Sequence, residues 1–121
     1  MKAISASLKQ TKKTMELKEK TCVPSDNLKG PLNKSESETL LEQLATDWQI
    51  IDSDKLKKEF PFENFKRAMA FAQEIALIAE KEMHHPLLVI EYDKVTVELS
   101  THDVNGLSEN DFIMAAKIEE L

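Results

Sequence analysis

From residue 31 onward, apolar positions recur with regular periods. Leu40, Leu41, Leu44 and Ala45 share one helix face, and Ser35 followed by Glu38 predicts a capping box at its start. Residues 48–52 read as a short strand. Ser53-Asp54 turns the chain into a second strand over 55–60, which Pro61 ends. Phe65, Ala68, Met69, Ala72, Ile75, Ala76 and Ala79 form one wide apolar stripe, predicting a long helix over about 62–83 packed closely on a sheet. Residues 87–92 are apolar and β-prone, and Asp93-Lys94 connects them to a strand over 95–101. In that last strand Val95, Val97 and Leu99 fall on one face and Thr96, Glu98 and Ser100 on the other. Asn105-Gly106 breaks it. Ser108 then opens a final helix with Asp111 at its third position, Leu107 and Phe112 spaced as a hydrophobic staple, and Met114, Ala115, Ile118 and Leu121 on its buried side.

The predicted order is α-β-β-α-β-β-α. Short turns make neighbouring strands antiparallel, so the expected fold is α+β: a two-layer sandwich with a four-stranded antiparallel sheet and three helices on one face. The sheet edges, and the apolar helix face around residues 40–48, are the expected places for self-association or partner binding.

Residues 1–30 differ from the rest. They carry seven lysines against Glu16, Glu19 and Asp26, a net +4, whereas residues 31–121 carry a net −10. Ile4 and Leu8 are the only strong apolar residues before Met15. This stretch is read as a flexible basic N-terminal tail, with the domain spanning 31–121. Residues 1–15 contain no acid, which leaves organelle targeting as an alternative; they also lack arginine and a secretory-length apolar run.

Composition narrows the function classes. At 121 residues, 41% of them hydrophobic, the chain can bury one core. No apolar run nears the roughly 18 residues of a spanning helix. The single cysteine, Cys22, makes no internal disulfide and no cysteine-based zinc site. Two glycines argue against a glycine-rich phosphate loop, and a net charge of −6 is a poor match to a nucleic-acid surface.

The candidate chemistry lies in His84, His85 and His102, the chain's three histidines. Pro86 biases His85 to extended backbone, so His84 and His85 point to opposite sides and take different jobs. Pairing of the strands over 87–92 and 95–101 brings residues near 86 and 102 opposite one another. The three imidazoles then converge at the open end of the hairpin. Three readings compete there: surface or capping histidines, a three-histidine metal site, and metal-free acid–base catalysis, which imidazole suits at neutral pH. The histidine spacing is not that of a typical zinc site, and no strained nucleophile turn suggests a serine triad.

Glu80, His84-His85-Pro86, Tyr92, His102 and Asp111, at their spacings, closely resemble the signature of the pterin-4a-carbinolamine dehydratases. Pro31-Leu32, Leu40-Leu41, Leu44, Trp48, Phe60, Phe62 and Phe65 extend the resemblance over about 31–121. Leu87-Leu88 and Met83 depart from it, standing where members often carry an aromatic and a polar residue. The resemblance implies a cytoplasmic hydro-lyase that needs no cofactor and no metal. Its reaction is dehydration of 4a-hydroxytetrahydrobiopterin to quinonoid dihydropterin, recycling the pterin of an aromatic amino acid hydroxylase. It also implies a homodimer or homotetramer. By position, His84 and His102 are the acid–base candidates and His85 orients the pterin. Pro86, Thr101, Asp103 and Val104 line the substrate site. Glu80 is read as orienting His84 or as surface charge, and Asp111 most simply as a helix cap. A non-enzymatic dimerisation module for a transcription regulator, a second role of some members, is the alternative.

Overall fold

The computed structural model describes residues 15–121. Among the described residues, three α-helices, α1 (Lys34–Glu42), α2 (Phe65–Glu82) and α3 (Glu109–Ile118), alternate with strands β1 (Gln49–Ile51), β2 (Lys55–Pro61), β3 (Leu87–Glu91) and β4 (Lys94–Leu99). The sheet is antiparallel throughout, in the order β1-β2-β4-β3. This is the predicted α+β arrangement.

β4 is central and carries the alternation that the sequence shows. Val95, Val97 and Leu99 are fully buried against the helices and pair in register with Phe60, Lys58 and Leu56 of β2. On α2 the buried stripe is Ala68, Ala72, Ile75 and Ala79. Phe65 and Ala76, expected in that stripe, are exposed. Small alanines let α2 approach the sheet closely, while Phe71 of the same helix packs on Phe60 and Phe62 at centroid distances of 4.8 and 4.9 Å. α3 fills the middle: Phe112, Met114, Ala115 and Ile118 are fully buried. Leu121, expected beside them, is half exposed.

The element ends differ from expectation by one or two residues, for local reasons. The cap of α1 is Asn33 with Glu36, each side chain bonding the other's backbone N–H, rather than Ser35 with Glu38. Asparagine accepts such a bond as well as serine does. The β1–β2 reversal uses Asp52 and Ser53, both at positive φ, instead of Ser53-Asp54. Tyr92-Asp93 rather than Asp93-Lys94 joins β3 to β4, since Glu91 pairs with Lys94. Pro61 is the last paired residue of β2, where its missing N–H costs least.

Two segments correct the expected surfaces. The apolar face around 40–48 is turned inward: Leu44 and Trp48 are buried, and Leu40 and Leu41 pack against the core. Glu119 pins the loop after α1, accepting from the Ala45 and Thr46 N–H groups, the Thr46 hydroxyl and the Trp48 indole N–H. The tail expected over 1–30 divides as well. Residues 1–14, with most of the candidate targeting stretch, lie outside the described residues. Residues 15–30 are laid along the domain: Leu17 is buried in the core, and short 3-10 turns form at Leu17–Glu19 and Ser25–Asn27. Among the described residues, no helix is long and apolar enough to cross a membrane.

Candidate active site

α2 ends where it must for the site to form. Met83 adopts the left-handed conformation (φ 55°), which a non-glycine residue takes at a cost of roughly 1–2 kcal/mol. The reversal sends the two following histidines to opposite sides, as their sequence position predicts. His84 turns inward, its side chain 11% exposed, and its Nε2 lies 2.6 Å from Asp111 Oδ1. His85 turns outward, 53% exposed, with Nε2 at 2.7 Å from Glu80 Oε2. Glu80 therefore partners His85 and not His84, because the chain reversal at Met83 carries His84 away from the helix surface.

Asp111 does more than cap α3. It is fully buried, and both of its oxygens are used. Oδ1 faces His84; Oδ2 accepts from the Ser108 N–H at 3.0 Å and from the Thr101 hydroxyl at 2.8 Å. Thr101 has one hydroxyl proton, and the carboxylate takes it. The Ser108 hydroxyl, 2.6 Å away, must then be the donor to Thr101 Oγ1. Two buried hydroxyls thus point in series at one carboxylate, which leaves Asp111 as the fixed acceptor for the His84 Nε2 proton. In that tautomer Nδ1 is the ring nitrogen free to work.

His102 arrives from the other side of the hairpin. β3–β4 pairing sets Leu87 against Glu98, so the residues preceding β3 and following β4 meet at one end. Thr101 bonds back to Gly106 across a 3-10 turn, His102–Val104, closed by Asn105 at φ 54°. Gly106 is required there by contact: a Cβ would stand 2.8 Å from the Pro31 side chain. His102 itself is exposed and makes no side-chain hydrogen bond among the described residues.

The three histidines, Thr101 and Asp103 line one open cavity of about 320 Å³. Pro86 and Val104, expected beside them, are half-buried outside its lining. Val23, Ser25, Met83, Ser100 and Asn110 also line it and were not expected. Ser100 was legible as a strand neighbour of His102; Val23 and Ser25 carried no signal, since they come from the presumed tail. Among the described residues, no three His, Cys, Asp or Glu side chains are grouped to hold a metal ion.

Residues 30–121 match the model of the pterin 4 alpha carbinolamine dehydratases. The chain belongs to this family. The resemblance seen in the histidine signature thus holds, and with it membership of a hydro-lyase family. A relative from Rickettsia canadensis, provisionally named a pterin-4-alpha-carbinolamine dehydratase, is 48% identical over 103 residues, covering 85% of this chain and 94% of its own. One from Chlorobium luteolum with the same provisional name is 47% identical, covering 88% and 95%. Among solved structures, the transcriptional coactivator/pterin dehydratase from Brucella melitensis superposes with a TM-score of 0.70 at 37% identity, covering 75% of this chain and 97% of its own.

Cys22 lies next to Val23, which lines the histidine cavity, and is not itself part of that lining. Burial first, and the adjacent Glu82 carboxylate second, push its thiol up to about 12 from 9.0. The folded protein should alkylate with iodoacetamide at pH 8 at least about tenfold more slowly than the unfolded chain, read by mass spectrometry. The unfolded thiol ionises first, so this group's contribution to stability is present below about pH 9 and is lost as pH rises toward 12. A Cys22→Ser variant should lack that part of the decline.

Proposed function

We propose that the chain dehydrates 4a-hydroxytetrahydropterins, 4a-hydroxytetrahydrobiopterin being the expected substrate, to the quinonoid dihydropterin and water. The observation that carries this reading is one cavity in which the imidazole of a buried carboxylate–imidazole pair and a second, exposed imidazole meet at the open end of a hairpin. In the reaction the C4a–oxygen bond breaks, the N5–H proton leaves, and the electron pair left on N5 forms the C4a=N5 bond. Hydroxide is a poor leaving group, so it needs a proton as it departs. His84 takes the N5 proton: its ring is held by Asp111, which stabilises the positive charge that the ring gains. His102, exposed and lining the cavity, protonates the leaving oxygen. His85, on the opposite side of the chain from His84, orients the pterin.

The product is the oxidised pterin that a reductase returns to the tetrahydro form, which fits recycling for an aromatic amino acid hydroxylase. β3 is an open sheet edge with Leu87 and Val89 exposed, which supports the expected homodimer or homotetramer. The coactivator role belongs to the Brucella protein's description. The apolar face around 40–48, which offered such a module its surface, is used here by the core. A coupled assay with a pterin-dependent hydroxylase tests the proposal: adding the protein should speed tetrahydropterin turnover when dehydration limits the cycle. No change under that limit would count against it.

A further inference from the structure

Residues 20–25 lie outside the stretch that the family model matches, yet Val23 and Ser25 line the histidine cavity and the segment is held at several points. Lys20 Nζ pairs with Glu109 at 2.6 Å, and the Cys22 N–H donates to Glu82 Oε1 at 2.8 Å. Asn110 holds both backbone groups of Val23. Its Oδ1 accepts the Val23 N–H at 3.0 Å and its Nδ2 donates to the Val23 carbonyl at 2.8 Å. The Ser25 hydroxyl donates to the Asp103 carboxylate.

Two of the holding groups are themselves buried, Asn110 at 2% and Glu82 at 8% exposure. Buried polar side chains persist where they are hydrogen-bonded; Asn110 gives both side-chain ends to this segment, and Glu82 gives it one oxygen while the other pairs with Lys117 at 3.5 Å. They also flank the carboxylate–imidazole pair: Glu82 precedes His84 by two residues and Asn110 immediately precedes Asp111.

Docking the segment does not require Val23's side chain. Leu17 supplies the buried anchor, at 4% exposure, whereas Val23 remains 45% exposed with its backbone fixed. Among the described residues, Val23 and Met83 are the two apolar side chains lining a cavity otherwise edged by hydroxyl, carboxylate, amide and imidazole groups. A pterin bicycle presents broad, weakly polar ring faces and polar edges, and such a lining complements it.

We propose that residues 22–25 form a wall of the substrate site, in which Val23 contacts a ring face of the pterin and Ser25 positions Asp103 beside it. This rests on the dehydratase reading above. The test uses the full chain and its Val23→Ala, Val23→Ile and Ser25→Ala variants. Dehydration kinetics are measured alongside NMR of the Val23 methyls during titration with a non-reacting 7,8-dihydropterin. Removing the Val23 methyls should raise KM by about three- to tenfold, with kcat within about twofold and Tm unchanged. Val23→Ile should restore KM, Ser25→Ala should raise it, and the wild-type Val23 methyls should shift on titration. Wild-type turnover with unshifted methyls and unchanged KM in all variants overturns the wall and leaves the dehydratase reading standing. A wild-type chain that neither binds nor turns over the pterin overturns both.

Discussion

An Asp111→Ala variant should be about 3–5 kcal/mol less stable than the parent chain, the usual effect of removing one partner from a buried, hydrogen-bonded charge cluster. The carboxylate is fully buried and accepts from the Ser108 N–H and the Thr101 hydroxyl while facing His84. Alanine removes the carboxylate acceptor from all three, leaving the Thr101 hydroxyl only its bond with Ser108, and it also removes half of the α3 cap. Denaturant unfolding of the two proteins measures the difference. Asp111→Asn separates stability from chemistry. An amide has one oxygen and one NH2, so it can satisfy either the hydroxyl chain or a His84 Nε2–H, but not both. With its oxygen kept toward Thr101 and Ser108, the NH2 meets His84 and forces the other tautomer. The fold then survives while dehydration slows by about 10²-fold or more. Equal stability of Asp111→Ala and wild type would show that this network does not hold the chain end together.

The helices, the four strands and their antiparallel pairing were legible because each rests on local periodicity. Val95, Val97 and Leu99 alternate plainly, and Ala68, Ala72, Ile75 and Ala79 repeat at helical spacing. The meeting of His84 and His102 was legible too, since a hairpin brings its open ends together whatever its turn residues are. What stayed hidden depends on contacts distant in sequence. Glu80 sits one turn before His84, and only the left-handed Met83 diverts that pairing to His85. Asp111 reads as a cap because its other partner is 27 residues away. Residues 15–30 read as a tail because one buried leucine and a few backbone hydrogen bonds hold them, and neither leaves a period in the sequence.

The larger kinetic effect is expected at the histidines. His84→Ala and His102→Ala should each lower the dehydration rate by about 10²–10⁴-fold, the usual contribution of a positioned proton donor or acceptor. The two losses should not add, because N5 deprotonation and C4a–oxygen cleavage belong to one elimination. His85→Ala should act mainly on KM, since that ring is turned outward and is held by an exposed pair with Glu80.

The most direct test follows the decay of a preformed 4a-carbinolamine by stopped-flow absorbance, with the wild-type chain and with the His84→Ala/His102→Ala double variant. The account predicts that the wild type accelerates water loss well beyond the spontaneous rate, and that the double variant falls to near that rate while remaining folded. A double variant that dehydrates the carbinolamine as fast as the wild type would contradict it.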